Sequence, residues 1–369
     1  MIIALEIQLV AIVVSMACAL AGVFLVLRRM ALMSDAISHT VLLGIVLVFF
    51  ITRDIASPLL VAGAAAMGVA TVGLVELLRR THLVREDASI GLVFPALFSI
   101  AVILITRYAG SVHLDTDAVL LGEIAFAPFR RFEAGGVDLG PRALWIMGGI
   151  LLLNVAFIAA LYKELKLSTF DPGLAAALGF APGVLHYAFM TLVSITAVGA
   201  FDTVGSILVV ALMIAPPATA YLLSDSLPRV LLLSALIAAI AALAGFWTAW
   251  LIDASIAGCM AASAGALFLL AFLLGPERGV IAVARRRERQ RWEFARLMLA
   301  IHLLHHEGTA ESTNENRESH LGEHLRWKPA FARRVVREAE DAELLLRLPD
   351  GRLSLTATGR DAAQRAMAG

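Results

Sequence analysis

Apolar runs of 17–25 residues recur between Met1 and Gly275. Each is about the length needed to cross ~30 Å of hydrocarbon. At that depth no water reaches the backbone, so each run must satisfy its own amides and carbonyls as an α-helix. The runs are read at 7–27, 35–52, 58–78, 89–106, 144–162, 184–200, 203–222, 229–252 and 256–275. The stretch 184–222 divides in more than one way, so eight or nine spans are expected. The chain is 60% hydrophobic and 16% charged, against roughly 45–50% and 25% in a soluble domain. The excess is uneven. From Pro276 onward, 94 residues hold 17 Lys+Arg and 14 Asp+Glu and no long apolar run. The expected fold class is an all-α polytopic membrane bundle of 8–9 transmembrane helices with a small α+β cytoplasmic domain. Its parts are a transmembrane domain at 1–275, a basic linker at 276–288 and a C-terminal domain at 289–369. The formal charge of +0 averages two unlike parts and says nothing about partners.

Cys18 and Cys259 both sit inside apolar runs, where cysteine behaves as a small hydrophobe. No disulfide framework or zinc-finger spacing is present. The N-terminal Met1-Ile-Ile-Ala-Leu-Glu6 has no basic segment, so its apolar run reads as a retained span and not a signal peptide. With nine spans and an outside N-terminus, Arg28, Arg29, Arg79, Arg80, Arg85, Lys163, Lys166 and Arg229 fall inside. Arg53, Arg107, Arg130, Arg131 and Arg142 fall outside, four of them in the long segment 107–143. The positive-inside bias is modest. Arg285-Arg286-Arg287, just after the last span, places the C-terminal domain in the cytoplasm.

Three segments carry chemistry. In Arg28-Arg-Met-Ala-Leu-Met-Ser-Asp-Ala-Ile-Ser-His39, Asp35 and His39 are four apart, so on a helix they share one face. Ionisable groups within a span are costly and face a cavity or a partner. An imidazole and a carboxylate make a ligand pair for Mn²⁺, Fe²⁺ or Zn²⁺. The same residues also read as a helix N-cap by Ser34 or Asp35 with a hydrogen-bonded core histidine. In Ser168-Thr-Phe-Asp-Pro-Gly-Leu-Ala-Ala-Ala-Leu-Gly179, Asp171 before Pro172 fits an N-cap with proline at the first helical position. Gly179 fits a C-terminal stop. The result is a short Ala-rich helix outside the bilayer that has to bury its apolar face against something. In Val204–Ala220, Pro216 and Pro217 predict a helix break, either lining a cavity or ending the helix at the cytoplasmic face. No Gly-x-x-x-x-Gly-Lys-Ser/Thr sequence occurs, nor Gly-x-Ser-x-Gly or His-Glu-x-x-His. The chain therefore has no recognisable nucleotide-hydrolysing or hydrolase site of its own, and no enzyme activity is expected of it.

Together these segments resemble the metal-ion ABC permease family, the membrane subunits of bacterial zinc, manganese and iron importers. The Arg-Arg-x-Ala-Leu-x-x-Asp-Ala-x-Ser-His pattern carries most of the likeness, over roughly residues 5–275. The resemblance implies that Asp35 and His39 coordinate the transported ion. It implies that Phe170, Asp171, Pro172, Ala175, Leu178 and Gly179 form the coupling helix that sits in a groove of a cytoplasmic ABC ATPase dimer. It further implies a second permease subunit, the same or homologous, an extracytoplasmic metal-binding protein, and the bacterial inner membrane as the site. No permanently bound cofactor is implied; the divalent metal is cargo. The segment His113-Leu-Asp-Thr-Asp117 resembles manganese/iron-type members. There His113, Asp115 and Asp117 either receive metal from the binding protein or form a polar surface loop. Members usually stop near the last span, whereas this chain continues for another 94 residues.

That extension reads as helix 290–306, short helices at 318–325 and 328–342, a hairpin over Leu344–Leu355 turning at Asp350-Gly351, and a last helix. The order resembles a winged helix of the diphtheria toxin repressor type, with Lys328, Arg333, Arg334 and Arg337 on the recognition helix. DNA is disfavoured as a partner, because that helix also carries Glu338, Glu340 and Asp341. His302 with His306, and His320 with His324, are i,i+4 pairs that either sense cytoplasmic metal or are merely solvated. The favoured reading is the permease of an ABC importer for Mn²⁺, with Fe²⁺ or Zn²⁺ open. The alternatives are a permease for a metal chelate of siderophore or cobalamin type, and a membrane-anchored metal-responsive transcription regulator.

Overall fold

The structure is a computed structural model and describes residues 2–53, 57, 59–108, 124–134, 137–308 and 316–368. The chain divides into two units, Met1–Gly279 and Val280–Gly369. The first holds α1 (Ile2–Leu27), α2 (Ala31–Thr52), α3 (Leu59–Arg80), α4 (Glu86–Tyr108), a 3₁₀ turn (Ile124–Phe129), β1 (Arg131–Ala134) and β2 (Val137–Pro141). It continues with α5 (Arg142–Ala160), α6 (Tyr162–Phe170), α7 (Pro172–Ala177), α8 (Pro182–Val204), α9 (Ser206–Leu223), α10 (Leu227–Ile252) and α11 (Ile256–Leu274). Nine helices among the described residues, all but α6 and α7, are long and apolar enough to cross a membrane. The larger of the two expected span counts is the one observed.

The centre of the bundle is α1, apolar on every side and the most deeply buried span. It packs against α5, α8, α9 and α10, while α2 lies on α3 and α4. Spans α4, α5 and α11 are the most exposed. Their uncovered side chains, such as Ile103, Leu152 and Leu270, are those a lipid-facing helix needs. Association in hydrocarbon depends on close packing and on hydrogen bonds between helices, and both occur on α1. Asn154 of α5 donates to the Ala17 carbonyl (3.0 Å) and accepts from Thr196 of α8 (3.1 Å), tying three helices at one buried point. Gly22 faces the backbone of α9, where a Cβ would stand 2.0 Å from the Met213 carbonyl oxygen.

That contact lies one turn before Pro216 and Pro217. The sequence predicts a break there, yet α9 runs through both to Leu223. Without an N–H, Pro217 leaves the Met213 carbonyl without its helical donor, and the backbone of α1 closes over that carbonyl at Gly22. The interruption falls instead at Gly205, between α8 and α9, where φ is +79° and the amide donates to Phe201. Glycine adopts this conformation without strain.

Contacts between elements sort the helix ends. One end gathers Arg28, Ser168 and Thr169 with Met30, Glu76, Arg79 and His186. The opposite end gathers Glu6, Arg131 and Asp138 with Arg130 and Asp202. The antiparallel β1–β2 ribbon at this second end pairs Glu133 with Asp138, and Arg131 bridges it to Glu6 of α1 at 3.0 Å.

The second unit contains α12 (Val280–His306), α13 (Leu321–His324), α14 (Pro329–Asp341), β3 (Leu345–Arg347), β4 (Leu353–Leu355) and α15 (Ala357–Ala368). Its core joins Leu299, Leu303, Val335, Val336, Leu345 and Leu353. The expected basic linker at 276–288 is helical over most of its length. From Val280 the chain is already helical, because Val-Ile-Ala-Val-Ala-Arg-Arg-Arg-Glu contains no breaker and α12 simply extends toward its N-terminus. The hairpin forms, but not by a two-residue turn at Asp350-Gly351. Leu348 donates to Arg352 (2.8 Å) and Gly351 donates to Leu348 (2.9 Å). Within that turn only Gly351 has a positive φ, whereas a two-residue type I′ turn needs two. Pro349 fixes a negative φ and forces the longer loop.

Gly22→Ala should lower the thermal unfolding midpoint of the detergent-solubilised protein, at a cost of about 1–3 kcal/mol for overpacking. Gly148→Ala, where an added Cβ meets nothing within 4 Å, should leave it unchanged or raise it. Equal behaviour of the two variants would show that the α1–α9 approach is slack.

Candidate functional site

Helix α2 starts at Ala31, with Met30 at the N-cap position and no side-chain cap. Neither Ser34 nor Asp35 caps the helix, so that reading is removed. Ser34 is buried and donates to the Ala31 carbonyl (2.8 Å). Asp35 stands in the second turn, and its Oδ1 lies 3.4 Å from His39 Nε2. The carboxylate side chain keeps 42% of its surface exposed and the imidazole 24%, so the chain itself does not cover either group. The His39 ring rests against Phe94 and Phe98 of α4, at centroid distances of 5.1 and 5.8 Å. Next to it Thr40 is buried, and its hydroxyl lies 2.8 Å from that of Thr71 on α3. The two aromatic rings and this hydroxyl pair fix the rotation of α2, and hence the direction of the Asp35/His39 face.

Among the described residues no group of three or more His, Cys, Asp or Glu side chains is arranged to hold a metal ion. His113, Asp115 and Asp117 lie outside the described residues. In the second unit the structure mixes the two histidine pairs. The rings of His302, His306 and His324 meet at centroid distances of 4.8, 5.9 and 6.1 Å. His320 takes the N-cap position of α13. Of the basic residues on α14, Arg334 lies over the Trp292 ring at 4.2 Å and pairs with Glu338 at 3.3 Å. Its charge is engaged within the unit. The Arg360 guanidinium similarly holds the Glu307 carboxylate below its ordinary range.

The short helix α7 forms as its residues dictate. The Asp171 carboxylate accepts from the Leu174 amide (2.9 Å), and Pro172 occupies the first turn. Gly179 takes φ +85°, and the Phe180 amide returns to the Ala175 carbonyl (3.0 Å), closing the C-terminus in the manner of a left-handed cap. Ala175 is buried, while Phe170, Leu174 and Leu178 are 63%, 47% and 61% exposed. Pro216 and Pro217 are buried in α9 and contribute no break.

Sequence reasoning missed the polar cluster at the same end. Met30, Met33, Val72, Val75, Glu76, Arg79 and His186 line a narrow cleft. There Arg79 and Arg80 both pair with Glu76, at 2.7 and 3.2 Å. The i,i+3 and i,i+4 spacing of those three residues was a readable signal. Lone His186 gave none. Arg28 counted toward the charge bias and the Arg-Arg pattern but was given no contact, yet it reaches Ser168 and Thr169.

Nine apolar spans, the buried α1 among them, an ionisable pair inside α2 and an exposed apolar helix between α6 and α8 describe a multi-pass membrane protein. The ABC 3 transport family model matches residues 3–275, and the chain belongs to that family. The chain is 49% identical over 360 residues to the zinc transport system membrane protein TroD of Treponema pallidum, covering 98% of each. It is 48% identical over 270 residues to the manganese transport system membrane protein MntD of Bacillus subtilis, covering 73% of this chain and 91% of the relative. The solved structure of PsaBC from Streptococcus pneumoniae in complex with Fab superposes with a TM-score of 0.61 at 28% identity. That match covers 74% of this chain and 92% of that one. The match to TroD necessarily runs through most of Val280–Gly369, so the extension is shared with a relative.

Asp171→Ala removes the α7 cap and should cost about 1 kcal/mol. Amide exchange at Leu174 should accelerate accordingly, and Asp171→Asn, which keeps an accepting oxygen, should restore most of the protection. Unchanged exchange in Asp171→Ala would mean that the cap does not hold the helix.

Proposed function

We propose that this chain is the membrane-spanning permease subunit of an ABC importer for a divalent transition metal. The observation that carries the reading is the Asp35–His39 pair, 3.4 Å apart and open to an ion within a span. Mn²⁺ is favoured because one of the two donors is a carboxylate; Zn²⁺ and Fe²⁺ accept the same set. The names of the relatives, zinc for TroD and manganese for MntD, support the metal class without choosing within it. Two donors do not fill a coordination sphere of four to six. The reading therefore includes a second permease subunit whose matching pair, with water, completes the sphere in transit.

The exposed apolar residues Phe170, Leu174 and Leu178 around α7 support a docking role against a cytoplasmic ATPase subunit. Alternating access then follows from ATP-driven movement of that helix, with an extracytoplasmic binding protein delivering the ion. This reading sets the end that carries Arg28, Glu76 and α7 in the cytoplasm of a bacterial inner membrane, and with nine spans the C-terminal unit lies there too. In that unit the order helix, helix, helix, hairpin, helix supports a winged-helix-like fold. Engagement of Arg334 and Arg360 within the unit favours a packing or regulatory role over DNA binding.

In proteoliposomes holding the full complex, Asp35→Ala should reduce uptake of Mn²⁺, Zn²⁺ and Fe²⁺ to background while assembly with the ATPase persists. His39→Ala should do the same. Undiminished uptake of manganese and zinc in Asp35→Ala would remove the coordination role, and uptake of a chelate but no bare ion by the wild type would replace the substrate class.

A further inference from the structure

We infer that Arg28 is a positioning residue that links α7 mechanically to the Asp35/His39 face, so that movement of the docking helix reaches the ion-handling helix through one guanidinium. The inference rests on the permease reading above and adds a coupling route to it.

Of the two adjacent arginines, Arg29 is exposed and Arg28 is turned inward. Arg28 Nε donates to Thr169 Oγ1 (3.1 Å) and its Nη2 donates to Ser168 Oγ (3.2 Å). The guanidinium also lies over the Phe189 ring of α8, 5.2 Å from its centroid. A planar fork that makes two bonds and one stacking contact is fixed in direction as well as in place. On the far side of this contact, Ser168 and Thr169 lie in the last turn of α6. Asp171 immediately follows, donating its amide to Leu167 (2.8 Å) and capping α7 with its carboxylate. Little chain separates the two bonded hydroxyls from the docking helix.

On the near side, the α1–α2 connection has no slack. The Met30 amide returns to Leu25 (2.8 Å) and the Arg29 amide to Val26 (3.0 Å), with Arg29 at φ +61°. These are the two bonds of a Schellman motif, here without its glycine. α2 starts at the next residue, Ala31. A shift of Arg28 is therefore delivered to the first turns of α2, where Asp35 stands. The remaining contacts favour rotation of α2 as a body, since Thr40 and His39 anchor it further along.

The test uses the complete importer in proteoliposomes, with ATP hydrolysis and Mn²⁺ uptake read in parallel. A spin label at Leu32→Cys, in a Cys259→Ala background, reports on the start of α2. In Arg28→Ala the ATPase should remain bound and hydrolysis should continue, while ions moved per ATP fall about tenfold, within the usual range of coupling between sites. The ATP-dependent change at the Leu32 label should be lost. The Ser168→Ala/Thr169→Ala double variant, which keeps Arg28, should reproduce both effects and carries the test if Arg28→Ala fails to assemble. A label response and coupling ratio equal to wild type in the double variant would overturn the link. So would a proportional loss of hydrolysis and uptake with an intact label response. The label response does not depend on cargo, so absence of Mn²⁺ uptake by the wild-type complex would count against the permease reading and leave the link decided by the label.

Discussion

Inside hydrocarbon a polar group with no partner costs several kcal/mol, and this one constraint organises the bundle. Backbone groups meet it by forming helices, so the only freedom left is how the helices approach one another. The few polar side chains at depth then act as fixed points. Asn154 is the clearest case: buried on α5, it uses its amide nitrogen on the Ala17 carbonyl and its oxygen on Thr196. Satisfying that one amide orders α1, α5 and α8 together.

The carbonyl that Pro217 leaves without a helical donor is an exception to this rule. A free carbonyl in an apolar core is a liability, and here the backbone of α1 lies directly over it at Gly22. A side chain on α1 at that point would hold the helices apart and leave the carbonyl in a void. The glycine and the proline pair are therefore one feature, divided between two helices. Read alone, each suggests a defect. Pro-Pro in an isolated span predicts a break, yet α9 continues through both prolines with α1 packed closely beside them.

This is why the fold was more legible than the site. Approximate span bounds follow from apolar length alone, and the nine helices among the described residues fall where the runs lie; only the division of 184–222 stayed open. α7 was legible too, since Asp171, Pro172 and Gly179 act on their own neighbours. What was not legible depends on partners far away in sequence. Arg28 and Thr169 are 141 residues apart, and nothing in the local pattern tells an inward arginine from a cytoplasmic charge. His186 enters the cleft beside Glu76 only because α8 packs on α3. The histidines of the second unit show the same limit. Helical spacing paired His302 with His306 and His320 with His324, whereas packing set His324 against the first pair.

The position of Asp35 gains meaning from these contacts. A carboxylate within a span is costly unless it is paired or reaches water, and its neighbour His39 supplies only part of what it needs at 3.4 Å. Thr40 on the next position is saturated by Ala36 and Thr71, so α2 presents one face that is fully bonded and one that is not. The proposed ion-binding role accounts for that face, because full satisfaction of the pair within the protein would leave nothing for the ion to complete. On the proposed role, the partial exposure of Asp35 leaves a place for the ion, and the tight turn at Arg28–Met30 would let so small a face move as a unit.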